Sequence, residues 1–139
     1  MNQTAIFWPM ILQAALIYGV YALISVRRKA AVRAGSVKVS QFRENQNEPP
    51  ESLFVRNNLA NQFELPVLFF AVCLAIHATA ATSYLTVVLA WLFVASRYVH
   101  AYIHVTSNRM RYRQPAFTFG FLVLLLMWIV FALHIAGLV

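Results

Sequence analysis

Four long apolar stretches dominate this chain and restrict its possible folds more than any other feature. They cover roughly residues 5–26, 53–80, 83–105 and 115–138, in a sequence of 139 residues that is 61% apolar and 11% charged. Each stretch is long enough to cross a bilayer core of about 30 Å as a helix. The connections between them are short, so the spans would pack as one unit. The sequence therefore predicts an all-α integral membrane four-helix bundle that forms a single domain over residues 1–139.

The charged residues lie in only part of the chain. Every Lys, Arg, Asp and Glu falls between Arg27 and Arg113, and the net charge is +7. The basic residues are concentrated in two connections, residues 27–52 and 106–114, which lie on the same side of a four-span protein. The positive-inside rule then places both connections in the cytoplasm and both termini on the non-cytoplasmic side, in a multi-pass protein of the inner (plasma) membrane. This arrangement argues against nucleic acid as a partner and favours contact with the lipid bilayer.

The remaining features have ordinary structural interpretations. The N-terminus lacks a basic segment, so the first span is expected to be a retained helix and not a cleaved signal peptide. Arg27, Arg28 and Lys29 are typical of an anchor for anionic headgroups. Gly35 and Ser36 are expected to end or bend the first helix. The polar loop 37–51 is either a lid over a pocket or a solvated linker. The single cysteine, Cys73, excludes an internal disulfide and reads as an inert core thiol.

The second span begins with a polar segment that runs into the membrane. No proline or glycine interrupts the chain between Arg56 and Leu65, which predicts one continuous helix there. In such a helix Asn57, Asn61 and Glu64 form one stripe at about 100° per residue. A carboxylate at the start of a membrane helix costs a few kcal/mol unless it meets a cation or hydrogen-bond donors. Pro66 also leaves the carbonyl of the residue four before it without a helical partner. This stripe is therefore a candidate binding site.

A second polar face lies at the cytoplasmic end of the third span. Arg97, His100 and His104 recur at positions i, i+3 and i+7, at about the depth of the stripe in the second span. Pro115 is expected to open the fourth helix. Arg113 would then lie at its N-terminal boundary beside free backbone N–H groups, and both would favour an anion. The face either satisfies the polar groups of the second span or binds an anionic ligand.

A metal site is the weaker interpretation of the same histidines. His100 and His104 have the i, i+4 spacing that can chelate zinc, but a zinc site needs a third and usually a fourth protein ligand. Glu64 is the nearby candidate, and the surrounding arginines would repel a cation. We therefore predict no metal.

Taken together, these segments resemble the MAPEG family, the membrane-associated proteins of eicosanoid and glutathione metabolism. The resemblance covers essentially the whole chain, including its length, its four spans and the side on which the termini lie. Two signatures carry it: Asn61-x-x-Glu64-x-Pro66 in the second span, and Arg97-x-x-His100-x-x-x-His104 followed by Arg113.

The resemblance implies a homotrimer that holds glutathione between adjacent subunits near the cytoplasmic face. By motif, Asn61 and Glu64 match the ligands from the second helix, and Arg97 and His100 match the pair from the third. Arg113 matches the arginine that stabilises the glutathione thiolate, so it is the catalytic candidate. The residues expected to bind glutathione are Arg56, Asn57, Asn61, Glu64, Arg97, His100 and His104.

Three positions depart from the family pattern. The family usually has arginine four residues before the asparagine, where this chain has Asn57, and Arg56 stands one residue earlier. A shift of one residue turns a helical side chain by about 100°. His104 stands where a synthase often has tyrosine, and Gln114 stands where some members have serine. These departures bear on glutathione affinity and on the choice of reaction.

The resemblance implies a glutathione-dependent transferase or peroxidase acting on lipophilic electrophiles or hydroperoxides. Glutathione carries two carboxylates and one ammonium group, which three arginines, one glutamate and several amides complement. A neighbouring guanidinium favours the thiolate that must react. Two alternatives stay open: a non-catalytic lipid-binding scaffold of the same fold, and a structural or transport protein that uses its polar faces for helix association.

Overall fold

The structure is a computed structural model, and it describes residues 1–44 and 47–138. Asn45 and Gln46 of the predicted polar loop, together with Val139, lie outside the described residues. A short 3-10 helix, Gln3–Ile6, precedes α1. The helices are α1 (Phe7–Arg33), α2 (Val39–Arg43), α3 (Pro50–Asn61), α4 (Leu65–Ala78), α5 (Tyr84–Val105) and α6 (Met110–Ile135).

Four helical segments are long and apolar enough to cross a membrane, as the sequence predicts. They are Gln3–Arg33, Pro50–Ala78, Tyr84–Val105 and Met110–Ile135. The second segment combines α3 and α4. No strand occurs within residues 1–44 and 47–138, and the prediction of an all-helical membrane bundle is confirmed. The side of the membrane on which the termini lie stays a prediction.

The first helix ends where Gly35 and Ser36 were expected to stop it, although it runs seven residues beyond the predicted span. Gly35 has a φ of +77°. The amide of Gly35 bonds to the carbonyl of Val32, and the amide of Ser36 bonds to that of Ala31. This pair of bonds is the Schellman arrangement, in which a left-handed glycine turns the chain out of a helix.

The predicted continuous helix through Glu64 is wrong. Helix α3 ends at Asn61, and Glu64 adopts φ −99° and ψ −105°, outside the helical region, before α4 begins at Leu65. A helix running through this point would need the amide of Pro66 to bond to the carbonyl of Gln62, and proline has no amide hydrogen. Pro66 instead occupies the first turn of α4, where a missing N–H costs nothing. The helix therefore breaks several residues before the proline that causes the break.

The predicted start of the fourth helix is also wrong. Helix α6 begins at Met110, and Pro115 lies inside it. Proline at the sixth helical position removes one backbone hydrogen bond, the one to the carbonyl of Arg111, and the helix continues. Arg113 is accordingly the fourth residue of α6 and not a residue at its boundary, and its own amide bonds to the carbonyl of Arg109 at 3.0 Å.

The apolar core joins α4, α5 and α6. Phe69 of α4 stacks on Phe93 of α5 with ring centroids 4.5 Å apart, and Met127 of α6 is fully buried in the same cluster. Cys73 is buried there as a free thiol, as predicted. This packing fixes α5 against α6 and therefore fixes the polar residues that follow on both helices.

Candidate functional site

A polar cavity of about 210 Å³ lies beside α5 and α6, close to the α3–α4 break. It brings together three predicted site residues: Asn61 from the end of α3, His100 from α5 and Arg113 from α6. The lining residues are Asn61, His100, Met110, Arg113, Gln114 and Phe117. We refer to it as the Arg113 cavity.

Arg97 lies behind this cavity and is almost wholly buried, with 1% of its surface exposed. Its Nη2 donates to the backbone carbonyl of Asn61 at 3.3 Å, and its guanidinium carbon lies 5.8 Å from the centroid of the Phe117 ring. Both of these neighbours also line the cavity. The α3–α4 break explains the first contact, because a carbonyl at a helix C-terminus has no partner within the helix. The amide of Glu64 approaches the same carbonyl at 3.4 Å.

Two donors of Arg97 remain without a partner. Its Nε and Nη1 are buried and make no hydrogen bond in the structure. Burying a charged donor without an acceptor is unfavourable, so such groups in native proteins call for an explanation. A bound anion beside Arg97 would supply the missing acceptors.

His100 is the second buried group with an unused polar atom. Its Nδ1 has no hydrogen-bond partner. The ring contacts Phe117 with centroids 5.7 Å apart and meets His104 edge-on at 5.5 Å. His100 therefore lies between the cavity and a buried histidine.

Arg113 is held in place by a residue that sequence reasoning missed. The Nη1 of Arg113 donates to Oδ1 of Asn108. Asn108 has a φ of +49°, and its amide bonds to the carbonyl of Ile103 at 2.7 Å, which closes the end of α5. Asparagine is one of the few residues that tolerate this backbone region. The turn between α5 and α6 thus positions the arginine that the motif predicts to be catalytic.

His104 faces away from the cavity, into a chain of buried amides. Its Nδ1 lies 3.3 Å from Nδ2 of Asn58. Oδ1 of Asn58 accepts from Gln62 at 3.2 Å, and Oε1 of Gln62 accepts from Gln13 of α1 at 3.1 Å. All four side chains are buried. We call Gln13, Gln62, Asn58 and His104 the buried polar chain, and it links α1, α3 and α5.

A pattern in the sequence is consistent with the buried polar chain. Asn58 and Gln62 share the i, i+4 spacing of Asn57 and Asn61, one residue further along. Gln13 is the one amide side chain among residues 5–26, an otherwise apolar span. A polar residue inside a membrane helix generally faces the protein interior and has a partner there.

Besides His104, three predicted site residues do not reach the Arg113 cavity of the same protomer. Arg56, Asn57 and Glu64 are exposed. The ion pairs within the described part of the chain are Arg28–Glu48 and Arg43–Glu44, and neither involves Glu64. The predicted alignment of Glu64 with Asn57 and Asn61 fails because the helix breaks before Glu64. The expected role of these residues in binding glutathione stays a prediction.

The arrangement is suited to holding an anion. Arg113 and the imidazole of His100 line the cavity. Arg97 lies behind the cavity and has two hydrogen-bond donors without a partner. Within residues 1–44 and 47–138, no group of three or more His, Cys, Asp or Glu side chains is placed to hold a metal ion. A carboxylate or a thiolate would find guanidinium groups here and no competing acidic side chain on the cavity wall.

Comparison with protein families gives one match. The model of the MAPEG family matches residues 5–133 of the 139-residue chain. Comparisons with curated proteins and with solved structures gave no match.

Proposed function

The chain belongs to the MAPEG family, and from this premise we propose that it is a glutathione-dependent membrane transferase or peroxidase. The family includes glutathione transferases and peroxidases together with other members. The proposed second substrate is a lipophilic electrophile or hydroperoxide that arrives from the bilayer. The proposed location is the inner (plasma) membrane, with the basic connections 27–52 and 106–114 in the cytoplasm.

The observation that carries the proposal is the pair of unpartnered donors on Arg97 beside the Arg113 cavity. Glutathione has two carboxylates, and a guanidinium binds a carboxylate through two parallel hydrogen bonds. Nε and Nη1 of Arg97 lie on different edges of the guanidinium, so they would not form this pair with one carboxylate, but each can donate one hydrogen bond to a carboxylate oxygen of glutathione. The side chain of Asn61 and the ring of His100 supply further polar contacts within the same cavity.

Arg113 is the residue to which we assign activation of the thiol. A nearby permanent cation lowers the pKa of a thiol and stabilises the negative charge on sulfur. Arginine is a permanent cation in proteins, and the hydrogen bond from Arg113 to Asn108 holds the guanidinium at the cavity. In the transferase reaction the thiolate sulfur would bond to an electrophilic carbon of the second substrate. That carbon would expel a leaving group with its electron pair or, in an addition, the broken π bond would take up a proton at the neighbouring atom. In the peroxidase reaction the thiolate would attack the terminal oxygen of the hydroperoxide and break the O–O bond, so that the alkoxide takes up a proton and leaves as an alcohol. The resulting glutathione sulfenic acid would react with a second glutathione to give glutathione disulfide and water.

We propose, from family membership, a homotrimer in which glutathione lies between subunits, and the small size of the cavity agrees with a site that is shared between chains. At about 210 Å³ the cavity is smaller than the roughly 300 Å³ at which ligand pockets usually begin. One protomer therefore offers part of a site. The exposed Arg56, Asn57 and Glu64 would complete it from the adjacent subunit, where their charges and amides would meet the rest of glutathione.

Glutathione-dependent thermal stabilisation tests the proposal. The detergent-solubilised protein should unfold at a higher temperature in millimolar glutathione, because a ligand at about 100 times its Kd stabilises the native state by about 2.7 kcal/mol. S-methylglutathione, which keeps both carboxylates, should also stabilise the protein. Arg97→Gln should lose most of the effect of both compounds. An unchanged unfolding temperature for the wild-type protein at saturating glutathione would contradict the proposal.

A non-catalytic lipid-binding scaffold is the second candidate. It is favoured by the exposed position of Arg56, one residue away from the place at which the family usually has arginine. A scaffold that has lost the chemistry would show no stabilisation by glutathione and would still be stabilised by an apolar lipid. The same unfolding assay therefore separates the two functions.

A further inference from the structure

A second concave surface lies at the end of α1, and it shares no residue with the Arg113 cavity. It has a volume of about 290 Å³ and lies between the last turns of α1 and the short helix α2. We call it the α1–α2 groove. Its lining residues are Arg28, Lys29, Val32, Arg33, Val39 and Phe42.

An ionic clamp shapes this groove by holding Glu48, and Phe42 of α2, against Arg28 of α1. Nε and Nη2 of Arg28 donate to the two carboxylate oxygens of Glu48 at 3.0 and 2.7 Å, and the Arg28 guanidinium lies 5.0 Å above the centroid of the Phe42 ring. Ser52 at the start of α3 donates to Glu48 as well. Burial alone would raise the pKa of Glu48, but the hydrogen bonds from Arg28 and Ser52 outweigh it and hold that pKa below its usual value.

The clamp occupies the charge of Arg28 and leaves two other cations at the groove. Lys29 and Arg33 are spaced i, i+4 on α1, so they lie on the same face of the helix. Both are exposed, and neither forms an ion pair with any residue of the described chain. The groove thus presents two positive charges about one helical turn apart, with no acidic residue among its lining residues.

The floor of the groove is apolar. Val32 and Phe42 are half-buried, and Val39 is 69% exposed beside them. An exposed valine on a short helix next to the end of a membrane span is unfavourable in water and favourable against an acyl chain. A free phosphate would contact only Lys29 and Arg33, and a neutral lipid would contact only the apolar floor. An anionic phospholipid would contact both.

We propose that the α1–α2 groove binds one anionic phospholipid, with its phosphate between Lys29 and Arg33 and an acyl chain along Val32, Val39 and Phe42. This site is independent of glutathione binding. It differs from general attraction of basic residues to a membrane surface, because it requires the shape produced by the Arg28–Glu48 clamp.

The full-length protein in a neutral detergent allows a direct test with defined probes. Dioctanoylphosphatidylglycerol should raise the unfolding temperature in a saturable way, whereas dioctanoylphosphatidylcholine and glycerol phosphate should leave it unchanged. The double variant Lys29→Gln with Arg33→Gln should bind the anionic lipid about thirtyfold more weakly, given the contribution of each basic residue to such binding. Val39→Ser should weaken binding of the anionic lipid while leaving all charges in place.

The matched control removes the same charge elsewhere. Arg109→Gln with Arg111→Gln neutralises two exposed arginines at the start of α6 and should bind the lipid as the wild type does. An equal loss of binding in this control would overturn the proposal in favour of general surface attraction. Equal stabilisation by glycerol phosphate would show a free-anion site, and equal stabilisation by phosphatidylcholine an apolar groove without headgroup selection. Either result would overturn the proposal.

Discussion

Two neighbouring asparagines in α3 have opposite environments. Asn57 is exposed, while Asn58 is fully buried between His104 and Gln62. We predict that Asn58→Leu lowers the free energy of unfolding by about 1–3 kcal/mol, because it leaves buried polar groups on both neighbours without a partner. Asn57→Leu should change it by no more than about 0.5 kcal/mol.

Thermal unfolding of both variants in the same detergent, followed by circular dichroism, measures the difference. The two substitutions are chemically identical and one position apart, so each is the control for the other. Equal unfolding temperatures would mean that the buried polar chain contributes nothing to stability.

Arg113 allows a test that separates binding from activation of the thiol. We predict that Arg113→Ala keeps most of the affinity for glutathione and abolishes the ultraviolet absorbance of the bound thiolate. The turnover number should fall by roughly 100-fold, as when a group that stabilises a developing anion is removed. Arg111→Ala removes a similar charge two residues earlier, outside the Arg113 cavity, and should retain the thiolate signal.

If Arg113→Ala loses glutathione binding and shows no separate effect on the thiolate, Arg113 is an anchor and not the activator. Absorbance difference spectra and equilibrium binding on the same preparation distinguish these results.

Part of the site could be predicted at the level of single residues. Asn61, His100 and Arg113 follow from motif spacing, and the structure brings them to one cavity. The role of Asn58 was not predicted because the polar face of the second span was assigned from the alignment of Asn57 and Asn61 with Glu64. Once the helix breaks before Glu64, that residue no longer indicates which face of α3 points inward. Asn108 was missed because its role depends on a backbone conformation that the sequence pattern does not reveal.

At the scale of elements, the spans were predictable and their interruptions were not. Long apolar runs determine membrane helices locally, and Gly35 marks a helix end that the structure confirms. The two prolines behave oppositely for a positional reason. Pro66 has no amide hydrogen to give to the carbonyl of Gln62, and the chain breaks between α3 and α4, whereas Pro115 lies near the start of α6, where one lost hydrogen bond is tolerated.

This contrast yields a prediction for the α3–α4 break. Pro66→Ala restores the amide that a continuous helix needs, so α3 should extend into α4 and the Asn61 carbonyl should turn away from Arg97. We expect weaker binding of glutathione as a result. Pro115→Ala should leave binding unchanged, because α6 is already continuous through that position.

Isothermal titration with glutathione compares the two proline variants directly. Equal affinity of Pro66→Ala and the wild type would show that the break does not position the site. A similar loss in Pro115→Ala would point to general disturbance of the bundle.

At the scale of the whole molecule, one protomer brings together only some of the predicted site residues and exposes many large apolar side chains. Arg97 and Arg113 are held within the bundle, while Arg56 and Glu64 lie on its outside. In the proposed trimer, Arg56 and Glu64 of one subunit would meet Arg97 and Arg113 of its neighbour. In such an assembly the residues of the sequence motif would contribute to one site from two chains. This would explain why only some of them meet within a single protomer.

The most direct test is an electron cryomicroscopy structure of the protein in lipid nanodiscs at saturating glutathione. We predict a trimer with glutathione at the boundary between adjacent subunits. A carboxylate oxygen should accept a hydrogen bond from Nε or Nη1 of Arg97, the sulfur should lie beside Arg113, and Glu64 should reach the ligand from the adjacent subunit. Glutathione bound away from both arginines, or an assembly in which Glu64 and the Arg113 cavity never meet, would contradict it.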